Sequence, residues 1–179
     1  MKGKIGYKGQ YLVNIANCYN RMGNFQEGLS YLEKIEVNKM DNRTKASYYA
    51  LISSNLYFSN QNLNRADELI SKSRQLLDTP EHILQQALIQ IELNKKDTAS
   101  ELVEQYHKKT TRKKYMLGAY SMDYIDEYCV EISEKFMLGL YYKKIGNEEE
   151  AKEYFLKSAK CNYKNYFSDI SKELYKYYY

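Results

Sequence analysis

The sequence predicts an all-α fold: a right-handed superhelix of stacked helical hairpins, closed by a C-terminal capping helix. Three observations carry that expectation. Leu138, Gly139, Tyr142, Gly146, Ala151, Phe155 and Ala159 have the spacing of two short helices around a tight turn. Small residues stand where the helix axes approach, and aromatic residues fill the groove between them. The phrase recurs at Ala16, Tyr19, Gly23, Phe25, Gly28 and Leu32, and at Ser54, Tyr57, Leu63, Ala66 and Ile70. A weaker copy runs through Ala87, Ala99 and Val103. Strand signals are missing, and the single proline, Pro80, leaves little to break helices.

The elements follow in order. The small residues of the second helices, Gly28, Ala66, Ala99 and Ala151, lie 38, 33 and 52 positions apart. The first two steps bracket a two-helix repeat of about 34 residues. The third leaves room for one extra helix. Repeats are therefore expected at 9–42, 47–79, 80–113 and 132–163, within a single domain over 1–179. The extra helix is placed at 114–131, through Met116, Leu117, Tyr120, Tyr124, Cys129 and Val130. Met22-Gly23-Asn24 and Ile145-Gly146-Asn147 read as turns with a positive-φ glycine. Ser59-Asn60-Gln61-Asn62 and Asn94-Lys95-Lys96-Asp97 read as the same turn without glycine. Pro80 fits a first helical turn, where its missing N–H costs little, and His82 just after it is expected to face solvent. Phe167, Ile170, Leu174 and Tyr175 have helical spacing, so a cap is expected over 165–179. Tyr177, Tyr178 and Tyr179 at its tip are either a frayed end or a patch that packs on a second copy.

Composition bounds the function. At 179 residues, 44% hydrophobic and 28% charged, the chain has an ordinary globular make-up. Its net charge of +4 comes from intermingled lysines and acids and demands no nucleic-acid partner. The densest basic run, His107, Lys108, Lys109, Arg112, Lys113 and Lys114, reads as a solvated segment between helices. Cys18, Cys129 and Cys161 are odd in number and form no CxxC pair, as free thiols of a reducing compartment would. The start lacks a signal-peptide core, and the longest apolar stretch, 136–142, is too short to cross a bilayer. A cytoplasmic location without membrane contact is the expectation.

His82 and His107 share no metal-ligand spacing, and no nucleophile elbow, phosphate loop or dinucleotide fingerprint occurs. Asp123, Asp126, Glu127, Glu131 and Glu134 fit one helix face, yet a metal or acid–base site needs partners from other helices. No catalysis, cofactor or metal is expected.

On these residues the four units resemble tetratricopeptide repeats over most of 9–163. Repeat three departs, with Gln90 at the usual tyrosine and Lys96 in place of an aromatic. Three stretches carry a closer likeness. One is Thr44-Lys45-Ala46-Ser47-Tyr48 leading through Ser54-Asn55-Leu56-Tyr57-Phe58, and another is Leu140-Tyr141-Tyr142-Lys143-Lys144. The third is Tyr154-Phe155-Leu156-Lys157-Ser158 followed by Asn165-Tyr166-Phe167 and Glu173-Leu174. They are similar to the peptide-sensing half of Gram-positive regulators of the Rap, NprR and PlcR group and to the arbitrium receptors of Bacillus phages. Those receptors carry an effector module ahead of the repeats. None precedes the first repeat here, so direct nucleic-acid binding is not expected.

The resemblance implies that the first helix of each repeat lines a concave ligand face. It places Gln10, Val13, Asn17, Asn20 and Arg21 there from repeat one, and Tyr48, Leu51, Asn55, Phe58 and Ser59 from repeat two. Repeat three would give Glu81, Leu84, Leu88, Ile91 and Glu92, and repeat four Ser133, Phe136, Leu140, Lys143 and Lys144. Asn17 and Asn55 fall at one repeat position, where the resemblance implies asparagines that hold a ligand backbone. An amide suits that role because it donates and accepts. Arg21, Lys143 and Lys144 fit a carboxylate, and Tyr48 and Phe58 fit the walls of an apolar pocket. The expected peptide-binding set is Asn17, Asn20, Arg21, Tyr48, Asn55, Phe58, Lys143 and Lys144. The plainer readings are asparagines that solvate a helix face and lysines that complement a helix end.

The expected function is therefore a peptide-binding sensor domain. A short signalling peptide, or a peptide segment of a protein, would occupy the groove, bridge early and late repeats and change conformation or self-association. A homodimer through the C-terminal repeats would be its partner state. The alternative is a constitutive scaffold that docks a folded partner. A third reading, nucleic-acid binding through 108–114, requires affinity that falls steeply with salt.

Overall fold

The computed structural model describes residues 3–114, 124–160 and 165–177, with side chains at 8–110, 131–160 and 165–177. The described residues form nine α-helices, one short 3₁₀ turn over Val37–Lys39 and no strand. The helices are α1 Gly3–Arg21, α2 Phe25–Leu32, α3 Asn42–Phe58, α4 Leu63–Leu76 and α5 Pro80–Glu92. They continue as α6 Lys96–Lys114, α7 Tyr124–Lys144, α8 Glu148–Ala159 and α9 Tyr166–Lys176. The fold is all-α and built of tetratricopeptide-like hairpins.

One backbone turn joins the helices of every hairpin. Gly23 and Gly146 take φ of 78° and 82°, and Asn60 and Asn94 take 52° and 61°. Asparagine tolerates this left-handed region better than other residues with a Cβ, so it replaces glycine at two of the four sites. The following N–H then reaches back five residues at 2.9 Å each time: Asn24 to Tyr19, Gln61 to Leu56, Lys95 to Gln90 and Asn147 to Tyr142. These bonds satisfy helix-end carbonyls that would otherwise be orphaned. The third hairpin therefore keeps the register of the others, although Gln90 has replaced the expected tyrosine.

Met1–His82 and Ile83–Tyr179 form two compact units. In the first, Val13, Ala16, Leu32 and Met40 make a core against which Leu29, Tyr48, Leu51 and Ile52 pack. A Cβ at Gly28 would lie 3.2 Å from the Ala16 carbonyl oxygen, so the absence of a side chain brings α2 close to α1. In the second, Ile83, Leu84, Leu88 and Ile89 of α5 are buried, as are Leu102, Val103 and Tyr106 of α6. Phe136 of α7 meets Phe155 of α8 and Phe167 of α9 at ring distances of 6.3 and 5.3 Å. The capping helix thus closes over an aromatic cluster.

Buried serines add a second echo of the repeat. Ser73 and Ser158 each stand seven residues after the small anchor of their helix, Ala66 or Ala151. Each donates to a first-helix carbonyl, at Ala46 (2.8 Å) and Ile132 (3.2 Å). The hydroxyls of these two serines are thereby satisfied inside the packing.

Three sequence expectations are corrected here. His82 is not a solvent-facing residue: it is buried, with Nδ1 2.9 Å from the Leu77 carbonyl and 3.2 Å from Ser73 Oγ. A carbonyl only accepts, so the Nδ1 proton points to Leu77 and the ring ties the α4–α5 corner together. The basic run is not a segment between helices but the last turns of α6, and Lys108 pairs with Glu104 at 3.7 Å. Of the expected extra helix, 115–123 lie outside the described residues. Its 124–131 portion is the start of α7, because no glycine or proline interrupts the chain before Gly139. Tyr178 and Tyr179 also lie outside the described residues.

Asp41 caps α3, accepting from the Thr44 N–H at 2.8 Å and the Thr44 hydroxyl at 2.8 Å. Those bonds hold its carboxyl below the usual carboxylate range. A lowered folded-state value makes the cap's contribution complete above about pH 4, the unfolded value, and lost as pH falls below it. Asp41→Ala is expected to cost about 1 kcal/mol at neutral pH, with solvent screening the electrostatic share at this exposed site. Thermal unfolding from pH 7 to 3 checks this, and the gap between the variant and the parent protein should close in acid.

Candidate functional site: an amide ridge on the first helix

Helix α1 presents three different faces, because residues three and four apart fall on one side. Val13, Ala16 and Asn20 turn inward and are buried. Gln10, Asn14, Asn17 and Arg21 form a second, polar row, with Gln10 and Asn14 exposed and Asn17 and Arg21 half-buried. The third face is Tyr11, Ile15, Cys18 and Met22, all exposed. Along the polar row Gln10 Nε2 donates to Asn14 Oδ1 at 3.0 Å, while Gln10 Oε1 lies 2.5 Å from the Thr44 hydroxyl of α3, whose one proton it shares with Asp41. The ridge is thus pre-positioned by its own bonds and by the neighbouring hairpin.

The expected binding residues divide between roles. Asn17 and Arg21 lie on the ridge. Asn20 and Asn55 do not face a ligand: they are 3% and 0% exposed, and Asn20 Nδ2 donates to Asn55 Oδ1 at 3.5 Å between α1 and α3. Nor do Asn17 and Asn55 share a repeat position. The α3–α4 turn carries one more residue, since six positions separate Asn60 from Ala66 and five separate Gly23 from Gly28. Counted from the turn, the counterpart of Asn55 is Cys18. Tyr48 packs on the first-unit core, where burial raises its hydroxyl above the usual tyrosine range. Phe58 stacks on Phe25 at 5.4 Å, so it closes the end of the two hairpins.

In the second unit Lys143 and Lys144 are exposed on the last turn of α7. Lys144 already reaches both carboxylate oxygens of Glu92, at 2.8 and 3.0 Å. A ligand carboxylate would have to compete with that pair. Glu131 pairs with Lys135, and Glu134 accepts from the Tyr106 hydroxyl at 3.1 Å. Asp123, Asp126 and Glu127 have no described side chains, so that acidic run lies partly outside the described residues.

Sequence reasoning missed a small pocket behind the ridge, between α1 and the 3₁₀ turn. Leu12, Ile35 and Met40 floor it, and Lys8, Lys34, Lys39 and Glu36 rim it, around a cavity of about 50 Å³. Lys39 bonds to Glu36 and, with Lys8, holds that carboxyl low. At roughly one water per 10–15 Å³ the cavity has room for a few waters or one carboxylate group, far less than a ligand-sized cleft. No single motif marks it, since its lysines are spread over 32 positions.

Among the described residues, no helix is long and apolar enough to cross a membrane. The chain matches the family described as the SusR N-terminal TPR domain over residues 4–171. No curated protein and no solved structure matches it. Tetratricopeptide repeats stack helix pairs to present surfaces to protein and peptide partners. With four turns in one register and a match over nearly its whole length, the chain belongs to the family of SusR N-terminal TPR domains.

Proposed function

We propose that this chain is an interaction domain that holds an extended peptide segment against the amide ridge of α1. One observation carries the reading: three amides and a guanidinium follow each other along one accessible helix face. Spacings of three and four residues set these groups about 5–6 Å apart. An extended peptide offers equivalent main-chain groups about every 6.6 Å, close enough for flexible side chains to follow. Amides pair with both N–H and C=O, so the ridge suits main-chain recognition, and Arg21 suits an acidic side chain or terminal carboxylate. Lys143 of the second unit is a further candidate for a carboxylate.

A short signalling peptide and a loose segment of a larger protein present the same chemistry to this ridge. Ligand-dependent self-association, read by light scattering, separates a sensor from a constitutive scaffold. Screening short peptides against the full chain, then titrating the best into an Asn17→Ala, Arg21→Ala double variant, tests the site. Affinity is expected to fall at least about ten-fold, or about 1.4 kcal/mol. Unchanged affinity in the double variant would sink the ridge as the binding face.

A further inference from the structure

The third face of α1 has a counterpart elsewhere in the chain. Tyr48, Ile52, Asn55 and Ser59 of the second hairpin each lie 37 positions after Tyr11, Ile15, Cys18 and Met22, as Asn60 lies after Gly23. On α3 this stripe is how the second hairpin rests on the first. Tyr48 and Ile52 pack against Val13, Ala16, Leu32 and Met40, and Asn55 lies fully buried against Asn20 and beside Gly28. On α1 the same stripe is open: Tyr11 is 66% exposed, Ile15 39% and Met22 47%. It is also the more apolar of the two, with Cys18 for Asn55 and Met22 for Ser59.

On α1 the surface turned outward is the one that, one repeat later, is an interface. The interface it copies seats Tyr48 and Ile52 on a surface built jointly by the two helices of a hairpin, Val13 and Ala16 from α1 with Leu32 from α2, and sets Asn55 beside Gly28. Two copies meeting stripe to stripe would offer each other a single helix and no such two-helix surface. The shape asked for is the back of another hairpin.

We propose that Tyr11, Ile15, Cys18 and Met22 form the docking face for an α-helical hairpin of a partner repeat protein, stacked on α1 as α1–α2 is stacked on α3. This face lies apart from the amide ridge, so either assignment can fail without the other. The probe is a polypeptide of residues 3–41 carrying Cys18→Ser, so that the full chain holds the one Cys18 that is read, and it contains the very surface that Tyr48 and Ile52 recognise. It is added to the full chain in trans, and separately fused ahead of it as a tandem hairpin. Alkylation of Cys18, followed by peptide mass spectrometry, reports cover. In the tandem the rate at Cys18 is expected to fall at least about ten-fold, equivalent to docking in about nine molecules of every ten. Ile15→Glu in the full-chain part should restore it. Saturable slowing by the free polypeptide gives the same answer in trans. Slowing in the tandem alone also supports the face, because chains of about 40 residues rarely hold a fold unaided. A Cys18 rate unchanged in both forms overturns the proposal. So does protection of the unmodified chain by its own rising concentration, with a dimer mass, which would assign the stripe to a second copy.

Discussion

Replacing Phe155 with alanine is expected to destabilise the protein by about 3–5 kcal/mol. Its side chain is fully buried, and it is the largest side chain so placed among the described residues. The ring also sits where α7 has given up a side chain. A Cβ at Gly139 would stand 2.6 Å from two ring carbons of Phe155, closer than atoms can approach. The pair is one joint, a missing side chain on one helix receiving an aromatic ring from the next. Gly139→Val should therefore also destabilise, by about 1–3 kcal/mol, through overpacking. The two changes are coupled, because the space vacated in Phe155→Leu is the space a side chain at 139 would enter. Urea unfolding of the singles and the Gly139→Val, Phe155→Leu double should show a cost below the sum by about 1 kcal/mol or more. Simple additivity would mean that the ring and the glycine do not share that space.

Raising the pH past 10 is the second change with a large expected effect. Burial pushes the hydroxyl of Tyr106 well above the usual tyrosine range, and the charge of Glu134 and its hydrogen bond push it further. Tyr48, Tyr142, Tyr154 and Tyr166 are raised as well, burial being the largest cause in each. Folded values above the unfolded one mean that the stability these groups contribute is complete below about pH 10. It is lost as pH climbs through 10 toward the folded values, because the unfolded chain releases those protons first. Helical circular dichroism should therefore collapse in the same step in which tyrosinate absorbance rises. Tyr106→Phe gives a sign test. At pH 7 it should cost about 1 kcal/mol for the lost hydrogen bond, and that handicap should shrink above about pH 10. A handicap that grows with pH would contradict the assignment.

Much of the fold was legible because its signals are local. Gly23 and Gly146 follow helices at the one place a left-handed residue is needed, and Asn60 and Asn94 announce the same geometry less plainly. The spacing of Gly28, Ala66, Ala99 and Ala151 then orders the hairpins. What escaped the sequence depends on atoms from other segments. His82 reads as surface because it follows Pro80, yet Leu77 and Ser73 supply the bonds that bury it. Asn17 and Asn55 align when counted from the second helices and not from the turns, since one inserted residue rotates α3 by about 100° relative to that count. That rotation moves Asn55 from the expected ligand face into the packing between hairpins. The stripe on α1 was hidden for a related reason. Tyr11, Ile15, Cys18 and Met22 together form no motif of the sequence, and only the packing of α3 shows what such a face is for.

The asparagine turns carry a consequence for chemical ageing. Asparagine deamidates when the backbone nitrogen of the next residue attacks the side-chain carbonyl carbon to close a succinimide ring. At Asn60 and Asn94 that nitrogen belongs to Gln61 and Lys95, and each is already bonded to a carbonyl five residues back at 2.9 Å. The nucleophile is tied down while the hairpin stays closed and released when it opens. Isoaspartate at these two positions would thus accumulate in proportion to the time each turn spends open, leaving in the chain a chemical record of its past excursions.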